Sequence, residues 1–451
     1  MTQQGVRWTT DQVLALAPDA ASRKAGSKLG AAGPWSQTGS SDEGAVWGLC
    51  KGSGSKPYQT IVDTGGGTGP AYKCSCPSRK FPCKHALGLL LLWAAGDTGA
   101  PAGRAPEWAQ PWLEGRRERA GQKQDAAAAP GGGAPADPEA ARRRADRRAQ
   151  RITTGTTELE QRLTDLLRGG LAQAERAGYG LWEETAARMV DAQAPGLASR
   201  VRELGAIPAS GPGWPARLLE ECALLHLLDK AWQHRAALPA DLATTVRSRI
   251  GLPTPPTAAP LRDHWLILSQ YDRADGHLTT RRVWLHGTES KRTALLLSFG
   301  AAGRAPALAL PAGLTLDATL TPHPGARALR ADLTEQCAAP TLTAHRPPGV
   351  DVTTALTAYG EALTEDPWLE SWPTTLTDVI PTRAPDAAGW QLADADGESA
   401  LPLTPNPPPG LWRLIALSGG APVTVFGECG HRGFHPLAAW TDSTSVPVPL
   451  T

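Results

Sequence analysis

Four side chains within twelve residues carry the clearest chemistry in this chain: Cys74, Cys76, Cys83 and His85. Three thiolates and an imidazole are the donor set that borderline-soft Zn²⁺ prefers, and four such donors close a tetrahedron with no position left for a substrate water. The expectation is therefore one structural Zn²⁺. In a strand, residues i and i+2 face the same side, so Cys74 and Cys76 can turn toward one ion together. After Pro82 the apolar run from Cys83 to Trp93 reads as a helix, which places Cys83 and His85 at its first turn. Redox thiols or a disulfide are the competing readings. Paired Cys-x-Cys and Cys-x-His segments make a poor disulfide framework, and seven cysteines leave one over.

The elements that must position this site are legible nearby. Ala45–Cys50, 57–62 and 71–75 are short strand-like runs, separated by turns rich in glycine and serine, and the helix follows them. The unit reads ββ(β)α, with a core at 45–95 inside an N-terminal region 1–96. A short helix at 11–17, capped by Thr9 or Thr10, would bring Trp8, Val13, Leu14 and Leu16 onto the module.

These residues resemble the SWIM-type zinc fingers, whose signature is Cys-x-Cys, a variable gap (here 77–82), then Cys-x-His. The runs 8–18 and 52–58 further resemble stand-alone bacterial SWIM proteins. The resemblance implies a zinc-stabilised module for protein or DNA contacts. It also implies an adaptor role beside a MoxR-type AAA+ ATPase and a von Willebrand A-domain protein.

Length and charge set the outer limits. The 451 residues are 41% hydrophobic, enough for two to four domains, and 45 basic residues balance 44 acidic ones, unlike a protein that coats DNA generally. Enrichment in Ala, Gly, Pro and Arg looks like the codon bias of a high-GC bacterial genome, so Arg-rich runs are weak evidence of function. No apolar run reaches the ~18 residues of a membrane span, and the N-terminus lacks the features of a signal peptide. Those readings, with unpaired thiols, predict a cytoplasmic protein that does not engage a membrane.

The fold class expected is α+β multidomain. Residues 97–140 read as an Ala/Gly/Pro-rich linker, with Trp108 and Trp112 docking back on the module's helix. Residues 141–253 read as a helical domain, in which Leu159, Leu163, Leu166 or Leu167, Leu171 and Ala174 mark one buried face. Residues 254–451 read as a β-rich α+β domain. Strands are expected at 265–271, 281–286, 294–299, 314–320, 326–333, 390–393, 411–418 and 423–426, and helices at 352–363 and 368–379.

No phosphate-binding loop, His-Glu-x-x-His or nucleophile elbow is present, so neither a catalytic residue nor a small-molecule substrate is identified. Lys56 and Tyr58 could touch a ligand held beside the zinc. A second metal site is conceivable at Cys429, His431 and His435; its three-donor shell would suit a metal-dependent enzyme built on the C-terminal region, although a fourth ligand is missing. For a partner, Lys73, Arg79, Lys80, Phe81 and Lys84 form a basic rim with one aromatic around the zinc. The Arg-rich helical run 142–151 adds a second basic element. A protein partner is the first expectation. DNA is the second, bound in a salt-sensitive way.

Overall fold

The protein is described by a computed structural model. It covers residues 8–451 apart from 15, 19, 53–55, 66–69, 79, 81, 97–98, 119–137, 257, 276–277, 302–305, 307, 328, 339, 343–344, 385–388, 405–409 and 442–445.

The N-terminal region begins with α1 (Thr10–Leu14) and α2 (Ala20–Ser27). Thr9 and Gln12 cap α1 reciprocally: Thr9 Oγ1 accepts from the Gln12 amide, and Gln12 Oε1 accepts from the Thr9 amide. An antiparallel sheet follows in the order β1 (Trp35–Ser40), β2 (Ala45–Cys50), β3 (Tyr58–Asp63) and β4 (Ala71–Cys74). Polar, glycine-containing β1 has no alternating apolar pattern to announce it, and its register slips between Ser36 and Gly39. Helix α3 (Lys84–Ala94) crosses one face of this sheet and is buried at every position from His85 to Trp93, as a helix apolar all round must be. Small residues let the helices close in: a Cβ on Gly88 would lie 2.5 Å from Leu29 Cβ, and one on Gly26 would lie 2.7 Å from Leu87 Cβ.

Trp108 and Trp112 dock elsewhere than expected. With Ala109 and Leu113 they pack on Ala45, Trp47 and Ile61, side chains that alternation places on the sheet face opposite α3. The face beside α3 is already filled, so the return segment, helical at 110–118, covers the other one. The linker reading for 119–137 falls outside the described residues.

The middle of the chain is helical: α4 (Pro138–Gly169), α5 (Ala172–Asp191), α6 (Pro195–Leu204), α7 (Trp214–Gln233) and α8 (Ala240–Ile250). Leu159, Leu163, Leu166 and Ala174 are buried in a shared core, and Leu167, at 41% exposure, is the neighbour that turns outward.

Two six-stranded antiparallel sheets complete the chain. The first holds β5 (Leu261–Asp275), β6 (Leu278–Gly287), β7 (Thr293–Ala301), β8 (Leu314–Pro322), β9 (Ala331–Gln336) and β10 (Thr341–Leu342), in the order β10-β8-β5-β6-β7 with β9 also on β8. The second holds β11 (Ser371–Arg383), β12 (Trp390–Asp394), β13 (Ala400–Pro402), β14 (Val423–Gly430), β15 (Gly433–Trp440) and β16 (Val448–Pro449), in the order β13-β12-β11-β14-β15-β16. Helices α9 (Val352–Glu365) and α10 (Leu411–Ser418) pack on it.

Two elements are of the opposite type to the sequence reading, and the strand expected at 326–333 begins only at Ala331. Residues 371–383 form a strand where a helix was expected at 368–379; Pro373 lacks the amide a helix interior needs, and the run is rich in threonine. Residues 411–418 form a helix where a strand was expected, with Leu411, Leu414 and Ser418 on its buried face and Gly419 at φ +53° ending it.

The regions stack in layers. One face of the β5–β10 sheet, carrying Trp265, Ile267, Val283 and Leu296, shares a continuous core with α1 and α3, and Gln12 Nε2 donates to the Ala312 carbonyl across that boundary at 2.9 Å. Its other face meets the second sheet through Leu266, Leu268 and Trp284 against Phe426, Leu437 and Trp440. The helical bundle is tied in from the side. Trp368 lies in the bundle core and donates its indole N–H to the Leu224 carbonyl at 2.9 Å, and Arg249 pairs with Asp366 at 2.6 Å.

Candidate metal centre

Each of the four donors is placed by a distinct local device. Cys74 ends β4, where pairing with Thr60 of β3 fixes its side, and Thr60 Oγ1 lies 3.3 Å from its Sγ. Cys76 follows two residues on. Cys83, just after buried Pro82, is the N-cap of α3, with an extended backbone (φ −75°, ψ 167°) and a sulfur that accepts from the Ala86 amide at 3.5 Å. A thiolate suits that end of a helix, where free amides and the dipole favour negative charge. His85 stands one residue inside α3, braced by the Tyr58 ring with centroids 4.8 Å apart.

The four donor atoms all lie within 4.8 Å of one another. Ordinary Zn–S and Zn–N bonds in a tetrahedron require S···N edges of about 3.6 Å and S···S edges of about 3.8 Å. Cys74 Sγ and His85 Nδ1 are 3.7 Å apart, which matches such an edge. The thiols show why a cation belongs here. The hydrogen bond from Cys83 pulls the Cys74 thiol down to about 3, while that same contact and burial push Cys83 up, and burial raises Cys76. Three sulfurs this close cannot all ionise against one another; a dication ligated by them removes the repulsion. The site binds one zinc, and its closed four-donor shell makes that zinc structural. Cys50, nearby in β2, stands outside the donor group, and burial pushes its thiol up to about 11.

Around the centre, Lys73, Lys80 and Lys84 are exposed, as expected of a basic rim; Arg79 and Phe81 lie outside the described residues. A cavity of about 550 Å³ opens beside the zinc ligands, bounded by α2 across from the start of α3. Among the described residues its charged lining is Lys51, Lys80 and Lys84, with no aspartate or glutamate, and Tyr58 forms part of its wall. Lys56 is exposed but does not line it.

The structure does not bring Cys429, His431 and His435 together. Cys429 on β14 is fully buried, and burial pushes its thiol up to about 11. Its neighbour Glu428 pairs directly with His435, so strand alternation sends Cys429 and His435 to opposite faces. His431, in the turn, lies 3.4 Å from the Tyr359 hydroxyl and 3.3 Å from a Glu220 oxygen. Sequence density of donors did not anticipate the pleat. One donor group was missed: Asp263, His264 and Glu289 converge across a strand and a turn, a separation with no sequence signal. The Asp263 carboxylate there accepts from the amides of His264, Glu289 and Ser290, which accounts for it as the organiser of that turn.

A zinc-stabilised strand-to-helix knuckle joined to a helical bundle is thus the class of protein that fold and site define. Comparison with family models makes it specific: residues 69–94 match the SWIM zinc finger, and residues 147–250 match the SWIM-associated four-helix bundle domain. The chain thus carries a SWIM zinc finger and, further along, the helical domain that accompanies this finger. No curated protein and no solved structure matches it.

Proposed function

We propose that this protein is an adaptor whose zinc finger holds a cationic groove in shape so that an acidic segment of a partner protein docks there. The observation that carries the reading is the groove beside the zinc, whose charged lining among the described residues is Lys51, Lys80 and Lys84. Zinc contributes rigidity and the lysines contribute attraction. The resemblance to stand-alone SWIM proteins implies a MoxR-type AAA+ ATPase and a von Willebrand A-domain protein as partners. A reducing compartment such as the cytoplasm would keep the three thiols available to the metal.

The test is affinity capture from the native cell with nuclease present, comparing the wild type with the Lys80→Glu/Lys84→Glu double variant. The expected result is a specific partner, lost from the variant while its zinc content stays at one. Equal capture by both proteins would refute the role of the groove.

DNA is the second reading, supported by the exposed arginines Arg142, Arg143, Arg144 and Arg147 on the first turns of α4. It requires binding to a DNA duplex that weakens steeply with salt, and charge reversal at Arg144 and Arg147 should flatten that dependence.

A further inference from the structure

Where α8, the β5–β10 sheet and the β11–β16 sheet meet, a second cavity of about 500 Å³ is lined by five arginines drawn from distant parts of the chain: Arg249, Arg273, Arg282, Arg327 and Arg330. They face three carboxylates, Asp366, Glu370 and Glu428. Arg249 is committed to Asp366 at 2.6 Å, Arg327 to Glu365 at 3.0 Å, and Arg282 approaches Glu428 at 3.4 Å. Among the described residues, Arg273 and Arg330 have no carboxylate within salt-bridge reach, yet both border the cavity and are exposed toward its mouth.

The floor is built with equal care. Glu428 is only 5% exposed, and its Oε1 accepts from the Tyr271 hydroxyl at 2.7 Å and the Trp284 indole at 2.8 Å. Among the described residues its Oε2 receives only a long contact from Ser371 at 3.4 Å, which leaves lone pairs free beside the cavity that Glu428 lines. Burial opposes the charge on Glu428, but Arg282 and the donors from Tyr271 and Trp284 outweigh it and hold the carboxyl below its usual range. Leu295 and Leu329 make an apolar wall beside Trp284. Surplus guanidinium at the mouth, an apolar wall and one anchored anion below are the parts of a small-ligand site, and a guanidinium fork fits the paired oxygens of phosphate or carboxylate.

We propose that this junction binds a small oxyanionic ligand, a phosphate ester or polycarboxylate, gripped by Arg273 and Arg330 while a donor group of the ligand meets Glu428 Oε2. Such a ligand bridges the two sheets in a cavity that α8 also lines through Thr245, Ser248 and Arg249. Its occupancy therefore stiffens the joint between them, a property separate from the zinc groove.

The full-length zinc-loaded protein tests this by isothermal titration with inorganic phosphate, pyrophosphate and citrate, with potassium chloride as the ionic-strength control. The expected result is saturable one-to-one binding of at least one probe and a rise in melting temperature with its concentration; the probe preferred tells phosphate from carboxylate chemistry. The Arg273→Gln/Arg330→Gln variant changes exposed side chains, so it should melt like the wild type without ligand and lose at least tenfold in affinity. Lys80→Glu, at the zinc groove, should leave the binding unchanged. No saturable binding of any probe at millimolar concentration, or equal binding by the double variant, would overturn the proposal.

Discussion

Residues 69–94, which match the SWIM finger, and residues 147–250, which match its associated helical domain, hold their shape by different means. The finger fixes its geometry with four donor atoms at a strand end, the turn that follows and the start of a helix. The bundle has no such anchor and relies on apolar faces recurring every three to four residues, with Ile152, Leu163, Leu197, Leu225 and Trp232 in its core. About 26 residues cannot bury enough apolar surface to fold alone, whereas about a hundred can. The short region thus concentrates its stability in one irreplaceable centre, and the long one spreads it over many replaceable contacts.

The largest effect should come from breaking the centre. In small zinc domains the metal contributes roughly 10–16 kcal/mol of apparent binding free energy, and that is folding free energy. Cys76→Ala, or a strong chelator, should take bound zinc from one to none by elemental analysis and make the segment around Cys74–Leu92 open to protease, while the circular dichroism of the bundle persists. Because α3 shares its core with Trp265 and Leu296, the damage should extend into the β5–β10 sheet. Unchanged proteolysis of the metal-free protein would erase the contrast.

A bundle substitution should cost less and leave the metal alone. Trp232 is fully buried, and its indole donates to Thr153 Oγ1 at 3.1 Å. Trp232→Ala should cost about 3–5 kcal/mol, read as a lowered denaturant midpoint, with zinc stoichiometry still one.

A pH-dependent prediction concerns Asp229, also in the bundle and wholly buried, whose two carboxylate oxygens have no hydrogen-bond partner among the described residues. Burial, with help from nearby Glu160, pushes its carboxyl up to about 8. The folded state then holds a proton that the unfolded state releases near pH 4, so this group weakens the fold as pH rises from about 4 to 8, with no further loss above. Asp229→Asn should be more stable than the wild type by a margin that widens over that window and levels off beyond it. A margin that stays constant with pH would show that the carboxyl is ionised throughout.

The smallest effect is expected at the surface. Arg202 meets Glu183 with a forked contact at 3.0 Å, but both are exposed, so Arg202→Ala should leave the melting temperature essentially where it was.

The same contrast explains what the sequence revealed. Metal chemistry restricts both residue type and spacing, so Cys74, Cys76, Cys83 and His85 are readable from the order of residues alone. The bundle's faces are readable because helical periodicity is local. Beyond these, local signals run out. Polar β1 carries no pattern, and eight residues at 411–418 suit a buried strand as well as a helix; only tertiary packing decides. Pro373 argues against the helix read at 368–379, a signal present in the sequence but outweighed there. The arginine cavity is invisible in the sequence because its parts run from Arg249 to Glu428 and meet only when three regions assemble.

Trp368 carries a practical consequence. It belongs by chain position to the β-rich half, yet its indole completes the interior of the bundle. A fragment cut to the boundaries of the helical domain would therefore have an indole-shaped hole bordered by the Leu224 carbonyl, and would offer that sticky recess to its own copies. Expressing the domain cleanly calls for a graft of residues 366–369, or a large apolar substitution to fill the seat from within.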